Sequence, residues 1–406
     1  MATSMNRLYQ TIIAHHFDEF EQMFFLAGPR QVGKTTIAKT IRINDLPAHY
    51  LSWDDLDTRQ LILSNQVAAK LGIDQVIAGQ KKPTVIFDEL HKNPQWKTFL
   101  KGFFDIYKEK INIIVTGSAK LDVYRKGGDS MMGRYFLTRV HPLSVRELLS
   151  ITPPKNEVSL PKKIEDKTFD VLLEFGGFPE PFLKRDQRFS NNWKRMRQEQ
   201  LFREDIRDLT NVRELTQLET LAEIIKLNAT KQVNLTKLGS RLQIASTTVK
   251  RWISTLSSFY FSFTIQPWHK NITRSLSKEP KIYLWDWAEV SDKGAKNENF
   301  IAAHLLKAVH FWTDYGLGTY ELYYLRDLEK REVDFVVVKN GKPWMLVETK
   351  SSHKESINPA LKYFQQQTKA PYAFQVALDL DYQDINCFDY HEPVIVSAKT
   401  LLSQLI

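Results

Sequence analysis

Gly28-Pro-Arg-Gln-Val-Gly-Lys-Thr-Thr36 is the stretch that decides how this chain is read. An apolar run, Met23-Phe-Phe-Leu-Ala27, precedes it and reads as a short buried strand. Thr36-Ile-Ala-Lys-Thr-Ile-Arg42 follows and reads as a helix. Gly28, Gly33, Lys34 and Thr35 have the spacing of a phosphate-binding loop, in the strand–loop–helix setting that such a loop requires. Glycine lets the backbone after Pro29 turn so that the N–H groups of Arg30, Gln31, Val32 and Thr36 face a polyphosphate at close range. Lys34 is then placed to reach the β- and γ-phosphates, and the Thr35 hydroxyl to ligate Mg²⁺. ATP and Mg²⁺ are the expected cofactors.

Further along, Pro83-Thr-Val-Ile-Phe-Asp88-Glu89 reads as a buried strand ending in two carboxylates. Such a strand can set both beside the phosphate loop: Asp88 to hold Mg²⁺ through water, Glu89 to orient and deprotonate the attacking water. Asn112-Ile-Ile-Val-Thr116 is a third strand running into Gly117-Ser118. At that end of a parallel sheet, Thr116 or Ser118 can sense the γ-phosphate. Arg134, in Met132-Gly-Arg-Tyr135, is a candidate to reach a nucleotide, including that of a neighbouring subunit in a homo-oligomer; its alternative is an ordinary surface ion pair.

Composition sets outer bounds. The 406 residues are 43% hydrophobic and 25% charged, as in ordinary globular proteins of two to four domains. No apolar run is long enough to span a bilayer, and Met1-Ala-Thr-Ser-Met-Asn-Arg7 lacks the layout of a secretion signal. The single cysteine, Cys387, excludes an internal disulfide and a cysteine-based zinc site, so a cytoplasmic location is expected. The net charge of +9 is concentrated in the middle. Residues 184–275 hold 17 Lys plus Arg against 8 Asp plus Glu, while the remainder is balanced at 39 of each. A localised excess of this kind suits a polyanion partner, here DNA, or else a solvated helical face.

Taken in order, the motifs Gly28–Thr36, Asp88-Glu89, Val115-Thr-Gly-Ser118, Gly133-Arg134 and Pro142-Leu-Ser144 resemble a bacterial and archaeal branch of the AAA+ ATPases. Gly176-Gly-Phe-Pro179, Ala245-Ser-Thr-Thr-Val249 and Tyr283-Leu-Trp-Asp286 match later landmarks of the same family, so the resemblance covers nearly the whole chain. His91 and Val145 depart from the pattern without touching the nucleotide chemistry. The resemblance implies an α/β fold: a P-loop AAA+ parallel sheet with a helical lid, a winged-helix module and a C-terminal domain of unassigned function akin to restriction endonucleases. The expected divisions are 1–150 for the ATPase core, 151–229 for linker and lid, 230–277 for the winged helix–turn–helix, and 278–406 for the last domain.

The residues of the later segments bear on function directly. Asn234–Leu242 and a second helix capped by Ser246 read as a helix–turn–helix, with a wing in Phe259–Pro267. Val249, Ile253 and Leu256 share one face, which turns Thr247, Thr248, Lys250 and Arg251 outward, the chemistry of duplex docking. The same module can also serve as a protein–protein contact. In the last domain a helix bears Glu298, a strand bears Asp334, the Asn340-Gly341 turn follows, and a third strand carries Glu348-Thr-Lys350. Alternation puts Glu348 and Lys350 on one face. Glu298, Asp334, Glu348 and Lys350 in this order resemble the PD-(D/E)xK nuclease pattern, with Val333 where the pattern has proline. The resemblance implies carboxylates that hold Mg²⁺ and a lysine beside them; an inactive or binding form of the fold is the alternative. Function is accordingly expected to be Mg²⁺-dependent ATP hydrolysis coupled to DNA remodelling or ATP-gated cleavage. The rival is an ATP-dependent regulatory switch that binds DNA or a protein.

Overall fold

Apolar runs without alternation form the middle of the first sheet, as expected of strands covered on both faces. The computed structural model describes residues 5–43, 46–77, 81–117, 131–207, 214–268 and 279–406. Among the described residues, six strands belong to the first unit (Met1–His141 with Ser150–Pro153): β1 (Met23–Ala27), β2 (Arg42–Ile43), β3 (Leu46–Ser52), β4 (Thr84–Asp88), β5 (Asn112–Gly117) and β6 (Tyr135–Arg139). Their order is β2-β3-β4-β5-β1-β6, with β3, β4, β5, β1 and β6 mutually parallel and β2 antiparallel at the edge. β1, β4 and β5 are buried along their whole length. The five-stranded parallel sheet is consistent with a P-loop AAA fold.

Helix Trp96–Tyr107 shows how the sheet is covered. Trp96, Leu100, Phe103 and Phe104 recur at helical spacing and are buried. Phe99 and Phe103 meet Phe87 of β4 edge-on, with centroids 5.5 and 5.6 Å away. Each such ring removed from water contributes about 2 kcal/mol. The leading helix runs Leu8–Glu19 with Arg7 at its N-cap. Because β1, β4 and β5 are parallel and side by side in the order β4-β5-β1, their carboxyl ends lie along one edge. That edge carries the phosphate loop, Asp88-Glu89 and Thr116.

The second unit (Pro142–Leu149 with Pro154–Ile406) opens on the short helix Val145–Leu149, followed by helices Asp166–Phe175, Pro179–Lys184 and Gln187–Gln200, the last continued by a π-helical turn at Leu201–Ile206. Helices Leu215–Leu227, Leu235–Leu242 and Ser246–Ser258 follow. Among the described residues, seven strands then make one mixed sheet: β7 (Ser262–Pro267), β8 (Lys281–Leu284), β9 (Tyr320–Arg326), β10 (Glu332–Lys339), β11 (Lys342–Lys350), β12 (Tyr372–Ala377) and β13 (Val394–Ser397). The order is β13-β12-β11-β10-β9-β7-β8. Asn340 and Gly341, at φ 50° and 77°, turn β10 into β11, as the Asn-Gly pair demands.

Two local expectations are corrected here. The strand read as a wing, β7, pairs antiparallel with β8 and parallel with β9, so it is part of the large sheet. Its residues Phe263 and Ile265 are buried, which requires cover that a free wing lacks. Ser246 is the first helical residue and Ala245 holds the cap position without a side-chain bond. Among the described residues no helix is long and apolar enough to cross a membrane.

Candidate nucleotide site and a C-terminal acidic cluster

The phosphate loop takes its shape from two glycines. Gly33 sits at φ 101°, a conformation an L side chain rarely adopts, and Gln31 is also left-handed at φ 61°. A Cβ on Gly28 would lie 2.5 Å from the Val140 carbonyl oxygen, so only glycine permits that approach. Arg7 adds a brace from the leading helix. Its buried guanidinium donates to the Val32 carbonyl within the loop and to the His141 carbonyl, both at 2.7 Å. Pro29 and Val32 are buried, Arg30 is half-buried, and Thr35 and Thr36 are exposed. The Lys34 ammonium is buried and donates to the Gly28 and Pro29 carbonyls at 2.8 and 2.7 Å. To reach a phosphate oxygen it must exchange those two acceptors, which keeps the charge at the loop without a desolvated orphan.

Asp88 is the centre of the edge. Its Oδ2 accepts from the Thr35 hydroxyl at 3.2 Å and from the Tyr50 hydroxyl; its Oδ1 accepts from the Thr116 hydroxyl. Burial and the Asp88 carboxylate raise the Tyr50 pKa, so the phenol stays a donor. Glu89 follows at φ 56°, and its N–H bonds the Thr116 carbonyl at 3.0 Å, which anchors the turn across β4 and β5. Burial raises the pKa of Glu89 above the usual glutamate range, with Lys34, Lys92 and Arg30 opposing and Asp88 adding to the rise. His91 and Lys92 each approach its carboxylate at 3.6 Å. Lys34, Thr35, Asp88, Glu89 and Thr116 therefore meet at one edge. A hydroxyl and a carboxylate oxygen 3.2 Å apart beside a phosphate loop are a donor set that fits Mg²⁺ carried with a nucleotide.

Two expected residues stand apart from this group. Ser118 lies outside the described residues. Arg134 precedes β6 at the opposite end of the sheet: Met23 is paired with Tyr135 and Ala27 with Arg139, while the loop leaves from Ala27. Five residues of strand separate the two, about 16 Å. An arginine cannot bridge that within its own chain, and Arg134 instead grips Asp105 with two bonds of 2.8 and 3.0 Å. A role at a nucleotide is left only to a neighbouring copy.

The helix pair reads as expected on its faces. Val249, Trp252, Ile253 and Leu256 are buried, whereas Thr247, Lys250 and Arg251 are exposed and Thr248 is half-buried. Asn234 caps the first helix by accepting from Lys237 N–H at 2.8 Å.

In the C-terminal sheet the register between β9 and β10 shifts between Val333 and Val336. Such an irregularity re-aims side chains. Asp334 lies within it, and its Oδ2 accepts the Thr349 N–H at 2.9 Å, taking a place in the ladder toward β11. Glu348 accepts from Lys350 Nζ at 3.1 Å and Asn358 Nδ2 at 2.8 Å, and its other oxygen lies 3.4 Å from the Asp334 N–H. Glu298, on the helix Lys293–Asp314, accepts from the Tyr283 hydroxyl at 2.8 Å. The expected Mg²⁺ arrangement does not fit these neighbours. The Lys281 ammonium stands 2.7 Å from Glu332, 3.2 Å from Glu298 and 3.4 Å from Asp334. Among the described residues no three acidic, histidine or cysteine side chains are grouped to hold a metal ion. Burial and Asp334 push the Glu298 carboxyl up to about 7, partly offset by Lys281 and Tyr283. Burial, then Asp334, also raises Glu348. For Lys281, burial opposes the charge and Asp334, Glu298 and Glu332 outweigh it, so its pKa rises.

Arg7, Tyr50, Lys281, Tyr283, Glu332 and Asn358 were not singled out as functional by sequence reasoning. Only Lys281 carried a local signal, a lysine at the head of the apolar Ile282-Tyr-Leu284 run, a poor place for a charge without a partner.

Comparison with known proteins agrees with the first half of this picture. Residues 20–149 match a family model described as an AAA domain. Residues 166–289 and 293–387 match two models each described as a domain of unknown function, DUF8612 and DUF4143. Two uncharacterized proteins, from Mycobacterium bovis and Mycobacterium tuberculosis, are each 24% identical over 352 residues, covering 83% of this chain and 72% of theirs. Solved structures show faint likeness. A DNA polymerase III gamma subunit-related protein of Thermotoga maritima is 12% identical over 63% of this chain and 77% of its own, at TM-score 0.26. PCH-2 of C. elegans is 15% identical over 60% and 66%, at TM-score 0.24. The AAA-domain match and the geometry of the loop support an AAA+ nucleotide-dependent ATPase core.

Proposed function

We propose that the chain is a Mg²⁺-dependent ATP hydrolase that couples turnover to action on DNA. The observation that carries the reading is Asp88, which joins the Thr35 hydroxyl at 3.2 Å to the Thr116 hydroxyl at the end of the neighbouring strand. The loop N–H groups of residues 30–36 bind the polyphosphate, and Lys34 leaves the Gly28 and Pro29 carbonyls to meet its terminal oxygens. Thr35 and Asp88 would hold Mg²⁺, which when bound neutralises charge on the phosphoryl oxygens. Glu89 accepts the proton of the attacking water, helped by a carboxyl whose basicity burial has raised. Thr116, already bonded to Asp88, senses the terminal phosphate; Ser118 is proposed for the same task. Thr247, Thr248, Lys250 and Arg251 then contact duplex phosphates, in keeping with the local excess of positive charge.

Glu89→Gln tests the centre of this reading. A neutral amide can orient water and cannot take its proton, so the variant should bind ATP with near wild-type affinity and lose turnover by about 10²–10⁴-fold. Hydrolysis at the wild-type rate would remove Glu89 as the base. A second reading, an ATP-dependent switch that binds DNA without cutting it, is favoured by one observation: the ammonium of Lys281 among the C-terminal carboxylates. Cleavage of duplex or branched DNA that needs Mg²⁺ and disappears in Asp334→Ala would reject that alternative.

A further inference from the structure

We propose that the Lys281 ammonium is the resident cation of the C-terminal acidic cluster and that it excludes a divalent metal from it. The inference does not depend on the nucleotide site. Lys281 comes from β8 at the edge of the sheet, whereas its three acidic partners come from the helix Lys293–Asp314 and from β10. It is 4% exposed, so water does not compensate its charge, and the three carboxylates do.

Donors already engage at least one oxygen of each carboxylate in the group. Glu298 Oε1 accepts from Lys281 and from Tyr283. Glu332 divides its oxygens between Lys281 at 2.7 Å and Arg326 at 2.6 Å. Asp334 gives Oδ1 to Lys281 and Oδ2 to the Thr349 N–H. Glu348 Oε1 accepts from Lys350 and Asn358, and its Oε2 faces the Asp334 N–H at 3.4 Å. Four carboxylates face Lys281, Arg326 and Lys350, which nearly balance them. A divalent ion entering this group would meet an ammonium within a few ångströms of its own position, with little solvent between, and like charges at that distance repel strongly. The lysine cannot leave by simply shedding its proton, because the same carboxylates hold its pKa high.

The test is Mn²⁺ binding to the full chain without nucleotide, read by the loss of the free-ion paramagnetic resonance signal. Asp334→Asn serves as the reference that lacks a C-terminal site. Wild type should bind no more Mn²⁺ than Asp334→Asn, up to millimolar ion. Lys281→Met should gain one site at least tenfold tighter than any in wild type, and Lys281→Met combined with Asp334→Asn should lose it again. Lys281→Gln repeats the measurement should the methionine variant fail to fold, and Lys281→Arg, which keeps the charge, should stay metal-free. A wild-type site abolished by Asp334→Asn would overturn the proposal. So would a folded Lys281→Met or Lys281→Gln protein that gains nothing, since the excluding charge would then lie elsewhere.

Discussion

Replacing Arg7 by methionine should loosen the phosphate loop from a distance of many residues in sequence. The guanidinium makes two buried bonds to backbone carbonyls, Val32 within the loop and His141 after β6, each at 2.7 Å. Methionine fills similar volume and donates nothing, so both carbonyls lose a charged donor. Hydrogen bonds to charged groups contribute about 1.5–3 kcal/mol each, and part is recovered where water enters. A net loss of about 3 kcal/mol is expected, which for a unit of this size lowers the melting temperature by roughly 6–12 °C. The loop, no longer held at Val32, must also be ordered by the ligand, and a penalty of about 1.4 kcal/mol raises the Kd for ATP about tenfold. Melting followed by tryptophan fluorescence and titration with a fluorescent ATP analogue measure the two effects separately. Arg7→Lys should recover part of both, because one donor can still reach one carbonyl. An Arg7→Met protein with unchanged melting and unchanged Kd would refute the brace.

Lys250→Ala with Arg251→Ala should weaken duplex DNA binding most at low salt and flatten the plot of log K against log salt by about 1.8, two phosphate contacts' worth; an unchanged slope in a filter-binding titration would move the helix pair to protein contact. The acid limb of ATP hydrolysis should lie above the usual glutamate range, because burial raises Glu89 and the base works only when deprotonated. Lys92→Met removes a cation 3.6 Å away that favours the carboxylate, so that limb should move to still higher pH with the plateau rate kept. A limb that stays in place or moves down would contradict the assignment.

The parts legible in the sequence are those where spacing alone fixes geometry. Gly28 to Thr35 sets a loop, a strand ending in Asp88-Glu89 delivers carboxylates to a sheet edge, and Glu348 and Lys350 share a face because strands alternate. Long-range pairing left no comparable trace. β7 reads equally well as a wing or as a sheet strand from its own residues, and only the partners β8 and β9 decide. Arg7 and Tyr50 look like ordinary residues of a helix entry and a strand; their roles arise where the tertiary fold brings Val32 and Asp88 to them. Ser246 reads as a cap from its hydroxyl, yet the helix starts one residue earlier than that reading places it, with Ala245 at the cap, because helix ends fray over a residue or two.

The sheet that carries Lys281 is shared between two stretches that sequence families treat as separate modules, 166–289 and 293–387. β7 and β8 belong to the first stretch, and β9 to β12 belong to the second. A fragment begun at residue 290 would bare β9 at Tyr323 and Tyr324, where β7 pairs with it, and would strand Glu298, Glu332 and Asp334 without their ammonium. The seam between the modules is thus no place to cut. Neither half is expected to travel alone through gene fusion or to survive expression as a separate soluble piece, and limited proteolysis should spare the 285–293 region that a family map would mark as a hinge.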